Sequence, residues 1–108
     1  MCWQVEVLND TVAKEIRSLP ADMHARFLRI SLLIEQAGLE TMREPQVKQL
    51  EGKIWEMRMT GRDGIARALY LTRIGRRVVV LRVFIKKTQK TPQHDIDLAL
   101  KRKRSSGV

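Results

Sequence analysis

The sequence contains a single cysteine, Cys2, among its 108 residues, so no internal disulfide can form. No Cys/His cluster has the spacing of metal ligands. No apolar run approaches the roughly 18 residues that a membrane-spanning helix needs. Residues 1–8 also lack the basic start and long apolar stretch of a signal peptide. We therefore expect a cytoplasmic protein that uses no metal or other cofactor.

Aromatic residues are also scarce, at 5% of the chain, which argues against a base-stacking platform of the single-strand-binding kind. Trp55 and Tyr70 are better explained as part of a sheet core. The sequence has no phosphate-binding P-loop, no dinucleotide glycine fingerprint and no zinc-protease helix. Carboxylates are few in the second half of the chain, which disfavours a nuclease built on acidic metal ligands.

Positive charge is abundant and unevenly distributed. The net charge is +9, yet residues 1–51 carry 6 Lys/Arg and 8 Asp/Glu, whereas residues 52–108 carry 15 Lys/Arg and 4 Asp/Glu. Such asymmetry indicates a polyanionic partner for the second half, with RNA favoured. A basic protein without a specific anion is the alternative. A membrane surface is less favoured, because no segment combines a basic face with an exposed apolar one.

The first half predicts one strand and two helices. Apolar and polar residues alternate over residues 3–8, which is typical of a strand with one buried face. Asn9 or Asp10 can cap a helix that runs to about Ser18. Apolar residues at 3–4 spacing predict a second helix that begins near Pro20 and has Gly38 as its C-cap. Residues 39–53 are interpreted as a polar connection.

The second half predicts three strands and a helix. Strands over 54–59, 65–72 and 77–85 are separated by tight turns and form an antiparallel meander. Thr91 can cap the last helix, with Pro92 in its first position. The predicted fold class is α+β, with an N-terminal strand, a helical hairpin on one sheet face, the meander and a C-terminal helix at the end of the sheet. We expect one domain over 1–104 and a disordered tail over 105–108.

Several cations lie where phosphate could bind. Arg67 shares one side of the pleat with Ile65 and Leu69. Arg58 ends the first meander strand, and Arg82 interrupts the last one. A charge among apolar neighbours is costly unless it is paired or faces a wet groove. Pairing with Glu56 or Glu51 is therefore the alternative to phosphate binding. A lysine cluster precedes the helix start, whose backbone N–H groups suit phosphate. The clustered residues are Lys86, Lys87 and Lys90.

Three segments resemble the HigB-type, phage-derived branch of the RelE/ParE toxin superfamily. They are residues 50–58 (LEGKIWEMR), 64–70 (GIARALY) and 83–92 (VFIKKTQKTP), the last followed by Ile96 and Ala99. The resemblance covers about residues 47–104. It implies a toxin of a type II toxin–antitoxin system that cuts mRNA, usually on the ribosome. An antitoxin, expected to be a helix-turn-helix protein, would cover the basic face. The related ParE branch keeps the fold but inhibits DNA gyrase.

The resemblance also implies residue roles in a metal-free cleavage, in which the ribose 2′-OH attacks its own phosphate. Arg67 would stabilise the phosphate, and either Lys86 or Lys87 would be the general base. His94 is either an acid/base group or an exposed helix residue. The catalytic candidates are Arg67, Lys86, Lys87 and His94. The RNA-binding candidates are Arg58, Arg82, Lys90 and Thr91. A gyrase inhibitor and a non-catalytic RNA-binding module remain the alternatives.

Overall fold

A computed structural model describes residues 2–43, 47–86 and 90–108. The elements in chain order are β1 (Gln4–Val7), α1 (Asp10–Arg17), α2 (Ala21–Ala37), a 3-10 turn (Leu39–Thr41), β2 (Val47–Gln49), β3 (Trp55–Gly61), β4 (Gly64–Arg73), β5 (Arg77–Lys86) and α3 (Gln93–Ser106). This order confirms the predicted α+β class. It includes the N-terminal strand, the two helices, the meander and the C-terminal helix.

The five strands form one sheet in the order β1-β5-β4-β3-β2. The pairs β2–β3, β3–β4 and β4–β5 are antiparallel, which confirms the meander, whereas β1 runs parallel to β5. The helices α1 and α2 carry the chain from β1 at one edge of the sheet to β2 at the other edge, and the meander then returns it to β5 beside β1. A register shift at Leu69/Tyr70 marks a bulge between β4 and β5.

Two apolar clusters lie on opposite faces of the sheet. Val78 and Val80 pack with α1 and α2, whereas Val79 and Leu81 pack with α3. Because the two faces alternate along a strand, this explains why the apolar run of β5 is continuous.

The last helix was expected at the end of the sheet, and this expectation is corrected. Ile96 of α3 is buried among apolar residues of β4 and β5, on the face that α1 and α2 leave open.

The helix ends follow the local chemistry in the first half of the chain. The Asn9 side chain accepts a hydrogen bond from the Val12 N–H at 3.1 Å, as expected of an N-cap. Gly38 ends α2 at a φ of 94°, a backbone conformation that favours glycine. Residues 39–53 contain more structure than predicted. Val47 is buried in the first core cluster, and β2 pairs there with β3.

The start and end of α3 also differ from the prediction. Pro92, and not Thr91, is the N-cap residue, and among the described residues no side chain caps the helix. At the other end, α3 continues through Ser106, and Gly107 follows at a φ of 76°. Lysine and arginine in the last turn stabilise this end, since their charge complements the helix dipole. Val108 packs against the second core cluster, whereas a disordered tail was expected over 105–108.

Candidate nucleic-acid interface

A row of basic residues crosses the sheet on the face that α3 packs against. Arg58 of β3 lies directly opposite Arg67 of β4, which lies opposite Phe84 of β5. Two residues further along β5, Lys86 lies opposite Ile65. Alternate residues of a strand share one face, so this register brings Arg58, Arg67 and Lys86 to the same side. The pleat position predicted for Arg67 agrees with this arrangement.

A single buried carboxylate organises the two arginines. Glu56 is fully buried, and its Oε2 lies 3.0 Å from Nε of Arg58. Its other oxygen, Oε1, lies 3.5 Å from Nε of Arg67. Like charges that face each other on neighbouring strands repel. Glu56 therefore supplies the negative charge that lets Arg58 and Arg67 lie opposite one another.

Arg67 lies beneath the surface of this site. Its side chain is fully buried, and its Nη1 donates to the backbone carbonyl of Lys90 at 3.2 Å. Burial lowers the pKa of the guanidinium, while the charge of Glu56 acts in the opposite direction. The sequence left two possibilities for Arg67, an ion pair with a carboxylate or a place in a wet groove. The structure has the ion pair, and its partner is Glu56.

The segment before α3 closes over the same carboxylate. The Thr91 hydroxyl, which was expected to cap the helix, donates instead to Glu56. Thr91 is buried, whereas the Lys90 side chain is exposed. A groove of about 500 Å³ runs beside them. Its lining residues are Lys48, Leu50, Glu51, Lys90, Thr91, Gln93 and Ile96.

Arg82 belongs to a different set of contacts. Its Nη1 lies 2.7 Å from Glu15 of α1, and its Nε lies 3.1 Å from Asp95 of α3. Arg102 approaches the same Glu15 carboxylate at 2.9 Å. Burial opposes ionisation of Glu15, but hydrogen bonds from Arg102, the Val83 N–H and Arg82 outweigh it and lower the pKa of the carboxyl. These contacts connect α1, β5 and α3.

The remaining candidates lie at the surface or outside the described residues. Lys86 is exposed at the end of β5, and His94 is exposed as the second residue of α3. Lys87 lies outside the described residues. Within residues 2–43, 47–86 and 90–108, no cluster of three His, Cys, Asp or Glu side chains is arranged to hold a metal ion.

Residues 14–104 match the model of the family "Phage derived protein Gp49-like (DUF891)". The chain belongs to this Gp49-like family. The match confirms the phage-derived relationship indicated by the resemblance of residues 47–104, and extends it to α1 and α2. None of the curated proteins matches the sequence.

Solved structures show that the Gp49-like chain has a RelE-like fold. A RelE–RelB complex from the archaeon Pyrococcus horikoshii matches with a TM-score of 0.63 and 22% identity, over 83% of this chain and 100% of the other. An arginine-to-alanine double mutant of the E. coli toxin RelE in the free state matches with a TM-score of 0.65 and 16% identity, over 94% and 98%.

In the described part of the Gp49-like chain, no helix combines the length and apolar character that crossing a bilayer requires.

Sequence reasoning missed the carboxylates that organise the Gp49-like fold. The sequence indicates Glu56 only as a possible partner of an arginine, and it indicates no role for Glu15. The available signal for Glu56 was its position on a strand, two residues before Arg58 and therefore on the same face. Glu15 gave no such signal, because its partners lie 67 and 87 residues away in the sequence.

Proposed function

We propose that this protein is the toxin of a type II toxin–antitoxin pair and that it cleaves mRNA in the cytoplasm, on the ribosome, without a metal ion. The observation that carries the proposal is the convergence of Arg58, Arg67 and Lys86 on one sheet face beside the start of α3. Membership of the Gp49-like family and the RelE-like fold support it.

The chemistry would be an internal transfer within the RNA. The 2′-oxygen attacks the adjacent phosphorus, and the bond from phosphorus to the 5′-oxygen breaks. A base takes the proton from the 2′-OH, and an acid gives a proton to the departing 5′-oxygen. Negative charge increases on the phosphoryl oxygens in the transition state, so fixed cations accelerate the step. The enzyme must also hold the attacking and leaving oxygens in line.

We propose a role for each site residue from its exposure. Lys86 is exposed and Arg58 is 14% exposed, so both can reach a phosphate. Arg67 is buried, so we propose that it adds positive potential from beneath. His94 is exposed in the first turn of α3 and is the proposed proton donor. Lys87 remains a candidate for the general base.

The remaining RNA-binding candidates are Lys90, Thr91 and Arg82. Lys90 and Thr91 precede α3, where backbone N–H groups at a helix start favour anions. Arg82 lies over the Phe84 ring, 5.5 Å from its centre, and would act mainly by holding β5 and α3 in place.

An antitoxin of the helix-turn-helix class would neutralise the toxin by covering this face. The RelE chain from P. horikoshii is in a complex with RelB, which supports a protein partner here.

The test is inducible expression in a bacterium, with growth and mRNA 5′ ends measured together. Wild type is expected to arrest growth and to create new 5′-OH ends inside coding regions. A Lys86→Ala/His94→Ala double variant should do neither. Both residues are exposed, so its thermal melting should match that of wild type. Arg26→Ala/Arg29→Ala removes as many basic side chains from the exposed side of α2 and should remain toxic.

Three results would contradict the proposal, and each points elsewhere. Growth arrest without mRNA cleavage would favour gyrase inhibition of the ParE kind. Tight RNA binding without arrest or cleavage would favour a non-catalytic RNA-binding module. A fully toxic Lys86→Ala/His94→Ala variant would show that cleavage does not use this site.

A further inference from the structure

The groove beside Lys90 and Thr91 continues the basic row towards the edge of the sheet. Lys48 of β2 lies directly opposite Glu56 of β3, so its side chain lies on the same sheet face as Arg58. Lys48 and Lys90 are both exposed, and both line the groove. Two lysines in a groove next to the basic row suit the phosphates of an RNA strand that continues past the site.

A carboxylate in this groove does not fit phosphate binding alone. Glu51 lines the groove and is exposed. The turn between β2 and β3 holds it there, since the Leu50 N–H donates to the Ile54 carbonyl at 2.9 Å and the Ile54 N–H donates to the Glu51 carbonyl at 3.2 Å. A carboxylate repels phosphate, so Glu51 would weaken a groove that bound only the RNA backbone. It therefore indicates a ligand that offers hydrogen-bond donors.

Gln93, the first residue of α3, adds a second acceptor to the groove. Its Nε2 donates to Glu51 and, at 2.9 Å, to Asp97 one turn further along the helix. Carboxylates accept hydrogen bonds and an amide nitrogen carries two hydrogens, so these two contacts use both of them. The group that Gln93 offers to a ligand is then its carbonyl oxygen. Glu51 and Gln93 thus both present acceptors to the groove.

The bases of RNA differ in the donors that their edges carry. Guanine presents the adjacent N1–H and N2–H2 donors, whereas adenine and cytosine each present one amino group next to an acceptor, and uracil one N–H between two acceptors. Proteins read single-stranded RNA through such edges. A wall of acceptors therefore favours guanine. Leu50 and Ile96 supply apolar surface in the same groove for the flat face of the base.

We infer that this groove binds a guanine base of the mRNA close to the cleaved phosphate, with the Glu51 carboxylate accepting hydrogen bonds from N1–H and N2–H2. The inference rests on the proposed function, because it takes RNA as the substrate. The Thr91 hydroxyl contacts Glu56 and the Lys90 carbonyl contacts Arg67, so the segment that lines the groove also contacts the basic row. The groove is thus continuous with the proposed cleavage site and would determine which sequences are cut.

The test measures binding without cleavage. The probes are the pentanucleotides UUGUU, UUAUU, UUCUU, UUUUU and UUIUU, in which I is inosine and every ribose is 2′-O-methylated, so that no 2′-OH can attack. Fluorescence anisotropy with the full-length protein should show UUGUU binding about tenfold more tightly than the A, C and U probes, as is typical of a bidentate contact to one base. Inosine keeps N1–H but lacks the 2-amino group, so UUIUU should bind with intermediate affinity.

Two charge-matched variants assign the preference to the groove. Glu51→Gln should reduce the guanine preference to about twofold or less, because a carboxamide offers one acceptor oxygen in place of two. Glu40→Gln removes the same charge from an exposed residue of the 3-10 turn, outside the groove, and should keep the wild-type preference. Lys48→Ala should weaken the binding of all five probes by a similar factor, since a phosphate contact carries no information about the base.

Equal binding of the four standard bases by wild type, tightest binding of a base other than guanine, or no binding of any probe would overturn the inference. So would a guanine preference that persists in Glu51→Gln. These results leave cleavage to be decided by the growth and mRNA 5′-end experiment, because a nuclease without base preference would still cut mRNA. A guanine preference in a protein that neither arrests growth nor cuts mRNA would support guanine binding in the groove and contradict the proposed function.

Discussion

At the scale of single residues, Glu56 has the greatest influence on the site. It contacts Arg58, Arg67 and Thr91, and it is the carboxylate between two arginines that face each other across β3 and β4. Buried ion pairs add little net stability compared with apolar residues, but removing one partner is strongly destabilising. The arrangement is therefore explained better by a need for cations at this surface than by a need for stability.

We predict that Glu56→Gln lowers the free energy of unfolding by about 3–5 kcal/mol, because it leaves Arg67 buried without its countercharge. Urea denaturation measures this directly. Glu51→Gln is the control, since Glu51 is exposed and contacts Gln93, so its loss should cost less than about 1 kcal/mol. Equal stability of Glu56→Gln and wild type would show that the carboxylate does not hold the two arginines.

At the scale of elements, strands and helices were largely predictable and their contacts were not. Alternation over β1 and the 3–4 spacing in α2 are local signals, and both elements lie where these signals indicate. The sheet face that α3 covers depends on residues far apart in the sequence, such as Ile96 and Leu69, which belong to one core cluster. The burial of Arg67 is of the same kind. The sequence predicts the strand face on which Arg67 lies. It does not predict that the segment at Lys90 contacts this side chain.

The contacts of Glu15 with Arg82 and Arg102 predict a pH dependence at this scale. The pKa of Glu15 in the folded protein lies below its usual value of 4.5, so its stabilisation is complete above that pH and is lost as the pH falls through the lower folded value. Glu15→Gln should cost about 1–3 kcal/mol at neutral pH. The difference from wild type should shrink towards about pH 3.

Thermal and urea unfolding of both proteins at the two pH values tests this prediction. Asp63→Asn is the control, since Asp63 is exposed in the turn between β3 and β4 and its loss should change stability little at either pH. A stability difference between Glu15→Gln and wild type that stays constant with pH would mean that the ionised carboxylate does not connect α1 with β5 and α3.

At the scale of the whole molecule, the excess of positive charge includes both arginines in ion pairs and exposed lysines. Among the described residues, arginines that pair with carboxylates hold the sheet and helices together. They are Arg58, Arg67, Arg77, Arg82 and Arg102. Lys86, Lys90 and Lys101 are exposed on β5, before α3 and on α3. The net charge of +11 over residues 52–108 is therefore larger than the charge that a polyanion would meet. We expect the exposed lysines to determine the affinity for RNA.

The salt dependence of RNA binding measures how many of these groups reach phosphate. For single strands, each neutralised phosphate contributes about 0.7 to the slope of log affinity against log salt. We predict that Lys86→Ala/Lys90→Ala lowers the slope for a short unstructured RNA by about 1.4. Arg26→Ala/Arg29→Ala removes the same charge from α2 on the other sheet face and should leave the slope unchanged. Equal slopes for both variants would mean that binding follows net charge alone, and the basic row beside α3 would have no special role in holding RNA.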